Sequence, residues 1–141
     1  DGVLYGTDDI VFENEAIESA FENFNLIFKD DDGVLGFVQD QSFHPTGVAL
    51  VGNTFLNRYP NRSLFYPKYY HFACQEIFDF CNSFQPSKFY QEPRAKVIHF
   101  HPGFCKNESD QTHIEARKFK DQDLSLSMKR REQKLIWPIF K

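Results

Sequence analysis

The chain has 141 residues, a formal net charge of −4 and seventeen phenylalanines. This length predicts one folded body with a substantial core, and the aromatic content argues against intrinsic disorder. A net negative charge does not favour binding to the phosphate backbone of a nucleic acid, so we expect no nucleic-acid partner.

The cysteine spacing and the hydropathy pattern indicate the cellular compartment. Cys74, Cys81 and Cys105 are odd in number and show no Cys-x-x-Cys spacing, which favours neither a disulfide framework nor a zinc ribbon. No apolar run approaches the ~20 residues that a membrane span needs, and no signal peptide is visible. We therefore predict a cytoplasmic protein in a reducing environment, without a membrane span.

Short apolar runs alternate with segments of helical periodicity along the first hundred residues. The predicted strands cover residues 3–6, 10–12, 34–38 and 95–100. The predicted helices cover residues 15–28, which Asn14 caps, and residues 73–84. Residues 48–59 fit either one helix or a strand that breaks into a helix. We favour a helix from about Asn53, because Gly52 weakens a continuous one.

Two charged runs predict solvated surfaces. Asp30-Asp31-Asp32-Gly33 fails the calcium-loop spacing, because Phe28 and Gln39 would occupy the first and twelfth positions. A solvated turn is the better prediction there. Lys129-Arg130-Arg131 similarly predicts a solvated helix face, with a phosphate or partner contact as the alternative.

The composition changes near residue 109. Residues 1–109 predict an α/β unit in which a mixed sheet is flanked by helices. Residues 110–141 predict a charged helical extension that ends in the apolar tail 135–140, which must dock on this domain or on a partner.

The run Val97-Ile98-His99-Phe100-His101-Pro102 predicts a strand that ends in two histidines. Successive strand side chains alternate in direction, so His99 and His101 should point to the same side. Pro102 then ends the strand. In open α/β sheets, ligands collect at the carboxyl ends of the strands.

Asp8 and Asp9 directly follow the first predicted strand, so they should lie in the loop at its carboxyl end. Adjacent carboxylates near imidazoles suit Mn²⁺ or Mg²⁺. We therefore predict that Asp8, Asp9, His99 and His101 form a divalent metal site. The alternative is that the acidic pair only caps the next helix.

Residues 65–72 form an aromatic cluster around Pro67. Two interpretations are open: a loop packed against the core, or an apolar wall beside a ligand.

Four motifs, in order, resemble the later half of a GT-A-fold glycosyltransferase, of the family 2-like type found in phage and bacterial genomes. They are Tyr5-Gly6-Thr7-Asp8-Asp9-Ile10-Val11-Phe12, then His44-Pro45, then Phe65-Tyr66-Pro67-Lys68-Tyr69 with a following Cys74, and then Val97-Ile98-His99-Phe100-His101-Pro102. The resemblance runs from Asp1 to about Glu132.

The resemblance implies a partial GT-A-like, Rossmann-related fold and a metal-dependent transfer of a sugar from a nucleotide-sugar donor to a glycan or other acceptor. Asp8 and Asp9 would hold Mn²⁺ or Mg²⁺ and the donor diphosphate, and His99 or His101 would complete the metal shell. The acceptor pocket would be lined by Tyr66, Tyr69, Tyr70 and His71.

Two departures from the family pattern leave a second interpretation open. Gln75 stands where an aspartate base is expected, so either Glu76, one position along, acts as the base or the base is lost. The nucleotide-binding half that precedes the acidic motif in such enzymes is also missing from these residues, so we expect a longer protein or a partner chain. The alternative function is a catalytically inactive GT-A-like module used for binding or assembly. A metal-dependent hydrolase is a third option, without a nucleophile motif.

Overall fold

A computed structural model of the protein describes residues 2–39, 44–69, 71–100 and 111–138. Over these ranges the fold is mixed α/β. The strands are β1 (Gly2–Tyr5), β2 (Ile10–Phe12), β3 (Val34–Gln39), β4 (Ala49–Gly52) and β5 (Phe89–His99). The helices are α1 (Ala16–Ile27), α2 (Asn53–Leu56), α3 (Ala73–Asn82), α4 (Gln111–Arg117) and α5 (Lys120–Glu132), with a 3-10 turn at Pro60–Arg62.

The five strands form one mixed sheet in the order β1-β4-β3-β5-β2. Strand β4 is antiparallel to both β1 and β3, β3 is parallel to β5, and β2 is antiparallel to β5. Strands β1, β3 and β5 therefore run in the same direction. Their carboxyl ends lie at the same end of the sheet, which is where we expected the site.

Two apolar clusters cover opposite faces of the sheet, because strand side chains alternate. On one face, Val51 of β4 packs with Phe55, Ile77 and Trp137 from the α2, α3 and C-terminal segments. On the other face, Leu50 belongs to the cluster that α1 covers. These buried faces fix the register of the strands, since a slip of one residue would exchange them.

The predicted elements are largely confirmed, with differences at their boundaries. Residues 49–56 do form a strand that breaks into a helix after Gly52. Asn14 is not the cap of α1: Glu15 takes that position in the left-handed region, with φ 61°, and its side chain makes no capping hydrogen bond. Strand β5 begins earlier than predicted, because Pro93 is accommodated where its pairing with β3 shifts register, between Phe37 and Val38.

Asp32 does not lie in a solvated turn, as we had predicted. Its side chain is buried and forms ion pairs with Arg58 at 2.5 Å and Lys88 at 3.0 Å. Burial by itself raises the pKa of Asp32, but the hydrogen bonds and positive charges of Arg58 and Lys88 outweigh this effect and lower it. The acidic turn therefore helps to attach α2 to the sheet.

The C-terminal extension packs against the rest of the chain through polar side chains. Helix α5 buries Asp123, Ser127 and Arg130, whereas Leu124 and Met128 are exposed. The prediction of a solvated Lys129-Arg130-Arg131 face is therefore wrong for Arg130. Trp137 is buried in the core, so this part of the apolar tail docks on the domain. The domain boundary predicted at residue 109 lies outside the described residues.

No helix in the described ranges is long and apolar enough to cross a membrane.

Gly52 provides a direct test of this packing. A Cβ atom at residue 52 would lie 2.1 Å from the backbone oxygen of Asp31, so we expect Gly52→Ala to lower the free energy of unfolding by about 1–3 kcal/mol. The control is Gly6→Ala, whose Cβ would meet the flexible end of the Ile10 side chain at 2.6 Å. Urea unfolding followed by circular dichroism measures both variants. Equal losses of stability would contradict the packing described at β4.

Candidate functional site

A carboxylate, an imidazole and an amide meet at the carboxyl end of the sheet. Asp9 lies in the turn after β1, Gln39 is the last residue of β3, and His99 is the last residue of β5. Pairing of β2 with β5 places Ile10 opposite His99, and Phe100 N donates a hydrogen bond of 2.8 Å to the backbone oxygen of Asp9. The strand ladder thus holds Asp9 beside His99.

The side chain of Asp9 lies between two histidines from different elements. His99 Nε2 is 3.2 Å from Asp9 Oδ1, and His113 Nε2, from α4, is 3.9 Å from Asp9 Oδ2. The exposed side-chain fractions are 18% for Asp9, 13% for His99 and 23% for His113. The side chains of the cluster are therefore partly exposed, but the facing atoms Asp9 Oδ1 and His99 Nε2 are themselves buried.

Hydrogen bonds of Gln39 orient the ring of His99. Gln39 Nε2 donates to the backbone oxygen of His44 at 3.1 Å, so its Oε1 is the atom that faces His99 Nδ1, at 3.0 Å. This arrangement assigns the proton of a neutral imidazole to Nδ1 and leaves Nε2 as an acceptor atom, 3.2 Å from Asp9 Oδ1. Two electron-rich atoms then lie close together, an arrangement that a bound cation would stabilise.

The pair satisfies part of the requirement for a divalent ion. Ligand bonds of about 2.0–2.2 Å at octahedral angles put neighbouring ligand atoms roughly 2.8–3.1 Å apart, close to the 3.2 Å between His99 Nε2 and Asp9 Oδ1. A histidine that donates its other ring N–H to a carbonyl group is also typical of metal sites. Asp9 and His99 therefore fit as two ligands of Mn²⁺ or Mg²⁺.

A larger protein ligand set is not present in the part of the chain that the structure describes, where no group of three such side chains is placed to hold a metal. Asp8 is exposed, and His101 lies outside the described residues. His113 approaches the second oxygen of Asp9, at 3.9 Å, and not the oxygen that lies nearest His99. Water and phosphate oxygens would have to supply the remaining ligands.

The sequence had pointed to Asp9 and His99, but not to His113 or Gln39. His113 lies in a charged stretch with no spacing that sets it apart, and it reaches Asp9 only through the placement of α4. Gln39 ends an apolar strand, where a polar residue predicts only the end of the element. In both cases only the tertiary fold creates the contact.

Glu76 lies in a second polar cluster, away from solvent. Arg130 Nε and Nη2 donate to its two oxygens at 2.7 and 2.9 Å, Trp137 N donates at 2.7 Å, and Tyr69 Oη donates at 2.9 Å. The hydrogen bond to Glu76 raises the pKa of Arg130, so the guanidinium stays charged. With both oxygens engaged in this way, Glu76 attaches the C-terminal segment to α3.

Gln75, the other residue predicted at the position of the base, makes a different contact. Its side-chain amide donates to Asp79 Oδ1, one turn along the same helix, at 3.0 Å.

Two of the predicted acceptor residues contact helix α5, and a third contacts Glu76 of α3. The Tyr66 ring lies 3.9 Å from Arg130 Cζ, Tyr69 donates to Glu76, and His71 N donates to Asp123 Oδ2 at 2.8 Å. Burial, followed by the hydrogen bond to Glu76, raises the pKa of Tyr69 above its usual range. The described contacts match the packed-loop interpretation of this aromatic segment. Tyr70 lies outside the described residues.

Comparison of the chain with models of protein families, with curated proteins and with solved structures found no match. The resemblance to GT-A glycosyltransferases therefore stays a prediction.

The buried Glu76–Arg130 pair makes a strong prediction about stability. Arg130→Met leaves the Glu76 charge buried without its main partner, so we expect a loss of about 3–5 kcal/mol in the free energy of unfolding. Adding Glu76→Met should recover part of that loss, because no unpaired charge remains. Denaturant unfolding measures each variant.

Arg131→Met is the matched control, since Arg131 is 55% exposed and its contact with Asp79 is 3.4 Å long. We expect this change to cost less than about 1 kcal/mol. If Arg130→Met costs no more than Arg131→Met, Glu76 does not anchor the C-terminal segment.

Proposed function

We propose that this chain is the metal- and acceptor-side part of a metal-dependent glycosyltransferase, which moves a sugar from a nucleotide-sugar donor to an acceptor. In this proposal the mixed sheet is a partial GT-A-like, Rossmann-related fold. The observation that carries the proposal is the juxtaposition of Asp9 Oδ1 and His99 Nε2, 3.2 Å apart at the carboxyl end of the sheet. The two residues are ninety positions apart, and both belong to motifs of the resemblance.

The roles of the site residues follow from their contacts. A bound Mn²⁺ or Mg²⁺ would neutralise charge on the diphosphate that leaves the sugar. Asp9 would provide a carboxylate oxygen and His99 a ring nitrogen, and the hydrogen bond from the His99 ring to Gln39 would keep that ring oriented. His113, near the second oxygen of Asp9, is proposed to donate a hydrogen bond to a phosphate oxygen. Asp8 and His101 remain proposed contributors to the same site.

The acceptor side follows from the aromatic segment. Tyr66, Tyr69, Tyr70 and His71 are proposed to line the acceptor pocket, because aromatic faces suit the apolar faces of sugar rings. Tyr66 and Tyr69 are only half-buried, so each retains surface that an acceptor can contact. The acceptor would then bind beside α5 and the docked tail.

A second candidate function is supported by Glu76. It can accept a proton only if Arg130, Trp137 and Tyr69 release its oxygens, and Gln75 cannot act as a base. A catalytically inactive GT-A-like module, used for binding or assembly, needs no base at all. The two candidates differ in what the Asp9–His99 pair is expected to bind.

Calorimetric titration with Mn²⁺ and inorganic pyrophosphate separates them. The transferase proposal predicts pyrophosphate binding that requires Mn²⁺ and that weakens about tenfold or more in Asp9→Asn and in His99→Gln. Gln39→Ala should weaken binding by roughly tenfold, because the ring of His99 would lose the hydrogen bond that orients it. Asp121→Asn, which alters an exposed carboxylate on α5, is the control and should bind as the unaltered protein does.

Thermal unfolding of each variant establishes that the fold is retained. If no variant changes the affinity, or if pyrophosphate binds equally without Mn²⁺, the transferase proposal fails and the binding-module candidate leads.

A further inference from the structure

His71 and Asp123 form a second carboxylate–imidazole pair, separate from Asp9 and His99. Asp123 lies in the first turn of α5, and its side chain is only 3% exposed. Its Oδ2 accepts a hydrogen bond of 2.8 Å from the backbone N–H of His71 and lies 3.0 Å from His71 Nδ1. These two contacts to one residue hold the imidazole in a defined position relative to the carboxylate.

The same contacts determine which nitrogen of the His71 ring can accept a proton. An ionised carboxylate only accepts hydrogen bonds, so the contact with Asp123 assigns a proton to His71 Nδ1. In the neutral ring, Nε2 then carries the lone pair. The side chain of His71 is 27% exposed, so a substrate can reach the ring from solvent. The pair thus has the arrangement of a general base that a buried carboxylate orients.

The backbone next to His71 adopts an unfavourable conformation. Phe72 lies in the left-handed region, with φ 65° and ψ −3°, directly before α3. For a bulky side chain this conformation costs about 1–3 kcal/mol, and such residues persist where the surrounding structure determines them, often at functional sites. The position of His71 is therefore constrained by the entry into α3 as well as by Asp123.

The start of α3 lies at the same end of the sheet as the candidate metal site. Thr46 makes the connection, because its hydroxyl donates to the backbone oxygen of Cys74 in the first turn of α3. The backbone oxygen of Thr46 in turn accepts a hydrogen bond of 2.5 Å from Tyr5 Oη, at the carboxyl end of β1. Asp9 lies in the turn after β1, and His71 lies just before α3, so both polar pairs are near this end of the sheet.

Helices α4 and α5, which follow each other in the chain, contact one pair each. His113 of α4 lies 3.9 Å from Asp9 Oδ2, and Asp123 of α5 binds His71. A donor held at Asp9 and an acceptor held at His71 would therefore lie beside the same helical segment.

We propose that His71, oriented by Asp123, is the base that activates the acceptor hydroxyl, an inference that rests on the proposed sugar transfer. The acceptor O–H gives its proton to His71 Nε2, and the electron pair of the oxygen forms the bond to the anomeric carbon of the donor sugar. The bond between that carbon and the diphosphate breaks, and its electron pair leaves with the diphosphate. The buried carboxylate of Asp123 stabilises the positive charge that forms on the ring.

This assignment supplies the base that the positions predicted from the sequence lack. The oxygens of Glu76 are held by Arg130 and Trp137, and Gln75 cannot act as a base. The described hydrogen bonds of His71 are made by its backbone N–H and by Nδ1, so they do not engage Nε2.

Nuclear magnetic resonance of protein with labelled histidine nitrogens tests the orientation of the His71 ring without any substrate. Above about pH 8, where an ordinary imidazole is neutral, we expect the proton on Nδ1 and none on Nε2. Asp123→Asn should keep this tautomer, because its side-chain oxygen can still accept both hydrogen bonds. A ring protonated on Nε2 in the unaltered protein would overturn the proposal.

The catalytic role is tested on the complete native protein, with Mn²⁺, a panel of uridine and guanosine diphosphate sugars, and methyl glycosides as acceptors. Release of the nucleoside diphosphate measures transfer. We expect His71→Gln to lower kcat about a hundredfold or more, with the donor KM and the Mn²⁺-dependent binding of pyrophosphate unchanged. Asp123→Asn should lower kcat at least about tenfold, also without a change in KM, because the charged ring loses its carboxylate. Asp121→Asn is the control and should transfer at the unaltered rate.

The outcomes separate this inference from the function on which it rests. If His71→Gln transfers as fast as the unaltered protein, or loses activity only because thermal unfolding shows a lost fold, the base assignment is overturned and the proposed function stands. If the unaltered protein releases no diphosphate from any donor, the proposed function fails and the base assignment fails with it.

Discussion

The antiparallel pairing of β2 with β5 is the constraint on which the candidate site depends. With Ile10 opposite His99, the residue before Ile10 has to lie beside the end of β5, which brings the Asp9 carboxylate to the imidazole. The register is itself fixed by burial, because Phe12 and Val97 contribute to the cluster under α1. The packing of the core thus determines the distance between two polar groups at the end of the sheet.

A second interaction determines where the C-terminal segment lies. The Glu76–Arg130 pair is buried and is completed by Trp137 and Tyr69, so the C-terminal segment is held against α3 by polar contacts with defined geometry. Such a pair gains little free energy over an apolar replacement, so we expect its main effect to be the choice of one arrangement over others. In this chain the specified arrangement places α5 beside the aromatic segment and occupies both oxygens of Glu76.

Patterns within single elements were sufficient to predict most of the helices and strands, but not the order of the strands in the sheet. The periodicity of α1 and α3, and the break at Gly52, lie in local sequence, and so does the alternation that places His99 on one side of its strand. The contacts of Arg130 and Asp32 could not be predicted in this way. Both lie in charged runs that usually face solvent, and each is buried only because a partner far along the chain is brought to it. His113 in the candidate site is a third such case.

The most direct test of the account is a crystal structure of the protein soaked in Mn²⁺, with anomalous diffraction recorded to locate the ion. We predict an anomalous peak about 2.0–2.3 Å from both His99 Nε2 and Asp9 Oδ1. The hydrogen bond between Gln39 and His99 Nδ1 should be retained. A structure in which saturating Mn²⁺ leaves these two atoms without a peak would contradict the assignment of this cluster as a metal site.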